Sequence, residues 1–211
     1  MTVKVKICGI TNLEDALHAS KCGADELGFN FFQGSKRYVS PEVANEIASK
    51  LPASTNKIGV FVNESIDTIL KIADLVPLSG IQLHGDEELT YLTALKQKAK
   101  QPIIKAFRVS SSFDIGTVLD WDCDFQLFDS FSSDQYGGTG RRLTNQDLLF
   151  HIYLWLPGSA YVAGGLNPEN VAEVIREADP YAVDVASGVE SQPGKKDPKK
   201  VEAFIRNAKN A

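Results

Sequence analysis

The sequence is poor in cysteine, and its cysteines do not pair by spacing. Cys8, Cys22 and Cys123 are odd in number, far apart and free of any Cys-x-x-Cys pattern. That distribution argues against a disulfide frame or a zinc site and fits free thiols in a reducing compartment. His18, His84 and His151 make no ligand-like pair with them, so no metal is expected. No apolar run is long enough for a membrane span or a signal peptide. The chain enters an alternating strand directly from its N-terminus. A cytoplasmic location and no membrane partner are therefore expected. Basic tracts are also missing and the net charge is −5, which removes nucleic acid as an expected partner. A modest acidic balance still allows an anionic small substrate, because a pocket can be locally positive. With 43% hydrophobic and 23% charged residues, the composition is that of an ordinary globular protein. No composition break or linker interrupts it, so residues 1–211 read as one domain.

What is present is a repeat of strand then helix. Val3, Val5 and Ile7 alternate with Lys4, Lys6 and Cys8, giving one apolar face and one face of two lysines and a thiol. Asn12 caps a first helix with Leu13, Ala16, Leu17 and Ser20 on one face. Further strands are predicted at Glu26–Phe29, Lys57–Val62, Gly80–His84, Ile103–Phe107, Phe125–Asp129, Ala160–Ala163 and Ala182–Val185. Helix two opens at Ser40-Pro41-Glu42, a cap followed by proline, with Val43, Ala44, Ile47, Ala48 and Leu51 as its stripe. Helix three carries Ile66, Ile69, Leu70 and Ala73, and helix four Leu89, Leu92, Leu95 and Ala99. A short fifth helix is predicted around Phe113–Leu119 and a sixth around Gln146–Trp155. Asn167-Pro168-Glu169 and Asp197-Pro198 open the last two. Alternating β and α implies a parallel sheet. Eight units in this length fit a closed (β/α)8 TIM barrel at its short end. A doubly wound sheet is disfavoured, since the first βα turn, Cys8-Gly9-Ile10-Thr11, lacks the dinucleotide fingerprint.

In such barrels the chemistry sits at the C-terminal ends of the strands. Cys8 is at that position on the first strand, although a buried small side chain is the other reading of it. Gly164-Gly165 follows strand seven and Ser187-Gly188 follows strand eight. Those two loops commonly cradle a phosphate, with backbone N–H groups approaching its oxygens. Asp129 ends strand six on the same face as Phe125 and Leu127. A carboxylate in a partly desolvated pocket can serve as a general acid, and a loop cap is the alternative. Asp184, ending strand eight, fits a hydrogen bond to sugar hydroxyls or a loop-holding role. Arg37 is a fork for a carboxylate or phosphate. Gln82 and His84 share a face of strand four. His84 is counted with Arg37 and Asp184 among the substrate contacts, with a structurally satisfied histidine as the other reading.

Taken together these stretches resemble the phosphoribosylanthranilate isomerase family of tryptophan biosynthesis. The resemblance runs through Lys6-Ile-Cys-Gly-Ile-Thr11, Gly28-Phe-Asn-Phe31 with Ser35 and Arg37, and Gly59-Val-Phe-Val-Asn63. It continues through Gln82-Leu-His-Gly85, Lys105-Ala-Phe-Arg108, Tyr136-Gly-Gly-Thr-Gly140, Ala163-Gly-Gly-Leu-Asn-Pro-Glu-Asn170 and Asp184-Val-Ala-Ser-Gly-Val-Glu190. Arg141-Arg-Leu-Thr-Asn145 departs from the Phe-Asp-Trp run usual there, and Ser35-Lys-Arg37 from Ser-Pro-Arg. The resemblance implies an Amadori rearrangement of N-(5′-phosphoribosyl)anthranilate without metal or cofactor. It assigns Asp129 as general acid, Cys8 as general base and Arg37 to the anthranilate carboxylate. A free thiol titrates near ~8.5, so the neighbouring Lys6 is expected to favour the thiolate at neutral pH. The partner is a small phosphosugar. The sequence does not set the oligomeric state, and a monomer is the expectation. Indole-glycerol-phosphate synthase would need a further lysine and glutamate set with an N-terminal extension. A ribulose-phosphate epimerase would need metal-ligating histidines and aspartates. A non-catalytic phosphosugar-binding module would have no use for both Cys8 and Asp129.

Overall fold

Alternation along Lys4–Cys8 becomes the inside and outside of a barrel. Val5 and Ile7 are fully buried in the layer between sheet and helices, while Lys6 is fully buried on the barrel side. The structure is a computed structural model and describes residues 2–110, 113–130, 152, 154–156 and 158–211. Its strands are β1 (Lys4–Cys8), β2 (Glu26–Asn30), β3 (Asn56–Phe61), β4 (Gly80–Leu83), β5 (Ile103–Val109), β6 (Phe125–Ser130), β7 (Ala160–Val162) and β8 (Ala182–Val185). Each pairs in parallel with the next, and β1 closes the ring by pairing with β8. Among the described residues the helices include α1 (Leu13–Lys21), α2 (Pro41–Ala48), α3 (Ile66–Leu75), α4 (Leu89–Lys96), α5 (Val171–Ala178) and α6 (Pro198–Lys209). The predicted closed barrel is the observed architecture.

Local signals explain the helix starts. Asn12 accepts from the Asp15 N–H, Ser40 from the Val43 N–H, and Asp197 from the Lys199 and Lys200 N–H groups, satisfying donors that the first turn leaves open. Asn167 likewise accepts from Glu169 and Asn170, both at 3.0 Å. There the regular helix begins only at Val171, with a turn between. The expected fifth helix is a 3-10 turn, Ile115–Asp120. The sixth, over Gln146–Trp155, lies mostly outside the described residues, as do Tyr136–Gly140 and the atypical stretch after Gly140.

The buried stripes are narrower than the apolar spacing suggested. Leu17, Val43 and Leu89 are 43%, 41% and 42% exposed. The buried contacts of these helices are made instead by Ala16 and Ala19 on α1 and by Ala44, Ile47 and Ala48 on α2. Leu17 and Val43 each stand one residue from such a contact, about 100° round the helix axis. Inside the barrel, Ile58, Ile104, Ala106, Leu127, Tyr161 and Ala182 form an apolar plug with Phe125 and Tyr181. The plug closes the lower part of the barrel and leaves the polar residues of the strand tops above it.

A strand pair that the sequence reading missed follows β8. A 3-10 turn, Ser187–Val189, leads into β9 (Glu190–Gln192), which pairs antiparallel with β10 (Lys195–Lys196). Pro193-Gly194, a turn dipeptide, lies between them, and Gly194 has φ +82°. This ribbon reaches back over the ends of β1 and β2.

Candidate active site

Strand parity sends one set of side chains to the C-terminal mouth of the barrel. Lys6 pairs in register with Glu26 and Asp184, Cys8 with Gly28, and Arg108 with Asp129. One pocket at that mouth is lined by all the residues singled out above: Cys8, Arg37, His84, Asp129, Asp184, Gly164, Gly165, Ser187 and Gly188. Asn30, Ser35 and Gln82 share the lining. Among the described residues no cluster of His, Cys, Asp and Glu is arranged to hold a metal.

Cys8 opens onto this pocket with partial solvent access. Its surroundings are otherwise dense enough that burial pushes the thiol up, outweighing the pull of Lys6 and Lys196 toward the thiolate. Lys6 does pull toward the thiolate as expected, but the net shift is upward, which corrects the expectation that this cationic setting suffices at neutral pH. Lys6 is itself committed elsewhere. Its Nζ lies 3.0 Å from Asp184 Oδ1 and donates to Gln82 Oε1 at 2.8 Å. Burial works against the ammonium, but Asp184, and less strongly Cys8, hold it charged and raise its pKa. The Asp184 contact is an ion contact without hydrogen-bond alignment through a buried Oδ1, and Asp184 lines the pocket.

Asp129 is buried at the end of β6, with His84 Nε2 3.4 Å from its Oδ2. Gln82 Nε2 lies 2.8 Å from the other His84 nitrogen, Nδ1. A continuous polar line therefore crosses the barrel from Asp184 on β8, through Lys6, Gln82 and His84, to Asp129 on β6.

Arg37 finds a carboxylate within its own chain. Its Nε donates to Glu190 Oε1 at 2.8 Å and its Nη2 to Glu190 Oε2 at 2.7 Å. Two of the guanidinium's five N–H groups are used, leaving three. Glu190 also meets Lys196 Nζ at 3.1 Å. Burial pushes the Glu190 carboxyl up, but the Arg37 fork and Lys196 outweigh it and hold it below its usual range. Burial in turn pulls the Lys196 ammonium down against Glu190. Lys196 Nζ donates to the Cys8 carbonyl at 2.6 Å and the Ala186 carbonyl at 3.2 Å. Glu190 and Lys196 thus clamp the loops of β1, β2 and β8 together. Sequence reasoning missed both, and the Pro193-Gly194 turn was the available signal.

The glycine loops approach one another closely. A Cβ on Gly188 would lie 1.8 Å from the Leu166 carbonyl oxygen, so only glycine fits there. Gly164 and Gly165 have φ of +83° and +64°, the left-handed region glycine tolerates. Asn170 Nδ2 donates to the Gly165 carbonyl at 3.0 Å. No acceptor among the described residues takes the Gly165 N–H. Backbone N–H groups on a pinned glycine loop of this kind can approach an anion.

Comparison with known proteins gives this arrangement a family. The family model described as N-(5′phosphoribosyl)anthranilate (PRA) isomerase matches residues 5–207. An N-(5′-phosphoribosyl)anthranilate isomerase of Citrifermentans bemidjiense is 43% identical, over 98% of this chain and 97% of the relative. The crystal structure of phosphoribosyl anthranilate isomerase from Thermotoga maritima has a TM-score of 0.89 at 40% identity, covering 99% of this chain and 100% of that one. A phosphoribosyl anthranilate isomerase solved in complex with reduced 1-(o-carboxyphenylamino)-1-deoxyribulose 5-phosphate has a TM-score of 0.85 at 40% identity, with the same coverage. By a match that runs from the first strand to the last helix, the chain belongs to the phosphoribosylanthranilate isomerase family.

Proposed function

We propose that this protein isomerises N-(5′-phosphoribosyl)anthranilate to 1-(2-carboxyphenylamino)-1-deoxyribulose 5-phosphate in tryptophan biosynthesis, with Asp129 as general acid and Cys8 as general base. The observation that carries the reading is one pocket holding both groups beside two glycine loops suited to a phosphate. The relative's complex with a reduced 1-(o-carboxyphenylamino)-1-deoxyribulose 5-phosphate supports the substrate class.

Asp129 gives its proton to the furanose ring oxygen. The C1′–O bond breaks with its electrons going to that oxygen, and the anthranilate nitrogen lone pair forms the iminium. The Cys8 thiolate then removes the C2′ proton, and the C–H electrons form the enolamine. Tautomerisation, with C1′ gaining a proton and the C2′ hydroxyl losing one, gives the ketone. The iminium places positive charge near the thiol, which favours thiolate as Lys6 does and offsets the burial that raises it. Gly164, Gly165, Ser187 and Gly188 hold the phosphate through backbone donors. The three remaining Arg37 N–H groups face the anthranilate carboxylate, and Asp184 accepts from a sugar hydroxyl. His84 borders the substrate beside Asp129.

The deciding experiment is turnover of phosphoribosylanthranilate by the purified protein, followed as loss of anthranilate-type fluorescence. Steady decay with saturable kinetics is expected. A folded protein that leaves the signal unchanged would remove the assignment.

A further inference from the structure

The line from Lys6 to Asp129 fixes more than positions. Lys6 Nζ has only donors, and it meets Gln82 Oε1 at 2.8 Å. The Gln82 amide is thereby oriented, with its NH2 toward His84. That group donates to His84 Nδ1 at 2.8 Å, so Nδ1 is the acceptor and Nε2 carries the ring proton. The tautomer follows from the network rather than from a hydrogen position. Nε2 is buried, faces Asp129 Oδ2 at 3.4 Å, and has no aligned acceptor among the described residues. A buried N–H this close to a carboxylate but out of hydrogen-bond alignment is an unsatisfied donor that a small movement would pair.

We propose that Lys6 and Gln82 lock His84 as an Nε2–H donor, and that this donor sets which oxygen of Asp129 carries the acid proton. With the N–H toward Oδ2, the carboxylic proton sits on Oδ1. When that proton leaves for the ring oxygen, Asp129 becomes a full carboxylate opposite the waiting N–H, and the contact tightens to a charge-assisted hydrogen bond. His84 and Gln82 are positioning residues for ring opening, and His84 contributes most after the proton has moved. This rests on the acid role of Asp129 proposed above.

Two measurements test it. The first is ring-nitrogen NMR of the resting protein at neutral pH, with the His84 signals identified by their loss in His84→Gln. The Nε2–H pattern is expected in the native protein. In Gln82→Glu a carboxylate faces Nδ1 and accepts only, so a proton on Nδ1 is expected. An Nδ1–H pattern in the native protein overturns the lock. The second compares His84→Gln, whose amide N–H reaches the Nε2 position, with His84→Asn, whose amide reaches only Nδ1. Removing a preorganised donor of this kind costs about 10²-fold in kcat. That loss is expected for Asn with KM little changed, with Gln recovering at least ~10-fold of it. Equal kcat for the two variants overturns the proposal. If Gln82→Glu does not fold, the native tautomer and the His84 pair still decide. Absence of turnover in the native protein defeats the functional reading instead, and the tautomer is still read.

Discussion

Gly28→Ala is the most exposed consequence of the site geometry. Gly28 stands beside Cys8 in the β1–β2 register. A Cβ built there lies 2.7 Å from Cys8 Sγ and 3.1 Å from Cys8 Cα. Non-bonded heavy atoms prefer roughly 3.5–4.0 Å, so the thiol must retreat by about 1 Å. The backbone cannot share much of that shift. The Gly9 and Ile10 N–H groups both donate to the Gly28 carbonyl at 3.0 Å, and the Cys8 carbonyl is held by Lys196 at 2.6 Å. Cys8 Cα must give by a few tenths of an ångström, and most of the displacement falls on Sγ. A misplacement of about 1 Å costs on the order of 10²-fold in rate, and overpacking of this kind costs about 1–3 kcal/mol in stability. Steady-state turnover gives the rate, and thermal unfolding confirms that the variant is folded. A folded Gly28→Ala protein with kcat within a few-fold of native would refute the reasoning, because the thiol would then not need its place.

Cys8→Ser keeps the shape but replaces the thiol with a far weaker base, so turnover should fall at least ~10²-fold; near-native turnover in a folded variant removes Cys8 from the mechanism. Gly188→Ala forces the β8 loop off the Leu166 carbonyl and should raise KM for the phosphorylated substrate at least ~10-fold, since the donors around the anion move apart; unchanged KM would separate this loop from the phosphate. Asp25 is held below its usual range: burial pushes it up, but Lys209, the Val5 N–H and Lys4 outweigh that. A carboxyl depressed in the folded state adds stability above its unfolded pKa and loses it as pH falls through the folded value. Asp25→Asn should therefore lower Tm at neutral pH and flatten its decline in acid, and an unchanged acid slope contradicts the sign.

How much was legible in the sequence depended on the range of the interaction. Period-two parity grouped Cys8 with Lys6, Gln82 with His84, and Asp129 with Leu127 on one face of their strands, because side-chain direction in a strand is a local property. Caps at Asn12, Ser40 and Asp197 were legible for the same reason. Leu17 and Val43 were not, since apolar spacing does not say how wide a contact the sheet offers. Arg37 was readable as a carboxylate fork, but its partner Glu190 lies 153 residues away, on a ribbon too short to leave a periodic signal. The upward shift of the Cys8 thiol was not legible because Lys6 is near in sequence while the burial that outweighs it comes from the folded barrel.

The barrel interior is divided in a way that stability alone does not explain. Below, Ile58, Ile104, Leu127 and Tyr161 pack as a mainly apolar plug, with the Tyr161 hydroxyl donating to the buried Glu26 carboxylate. Above, fully buried Lys6 and Gln82 stand among Asp184, His84 and Asp129. Buried ion pairs seldom stabilise a fold over well-packed apolar residues of the same volume, so the upper layer must be kept for another reason. What such a layer supplies is position. Lys6 on β1 is held by Gln82 on β4 and lies against Asp184 on β8, Gln82 in turn reaches His84 at the end of its own strand, and His84 faces Asp129 on β6. The ribbon does the same at the rim, where one carboxylate, Glu190, orients Arg37 while its partner Lys196 holds the Cys8 backbone. A proposed base, a proposed acid and a carboxylate-binding arginine thus share two connected sets of contacts. Catalytic groups must sit within about 0.5 Å of their working geometry, and rigid strands with cross-strand polar partners meet that demand where mobile loops would not.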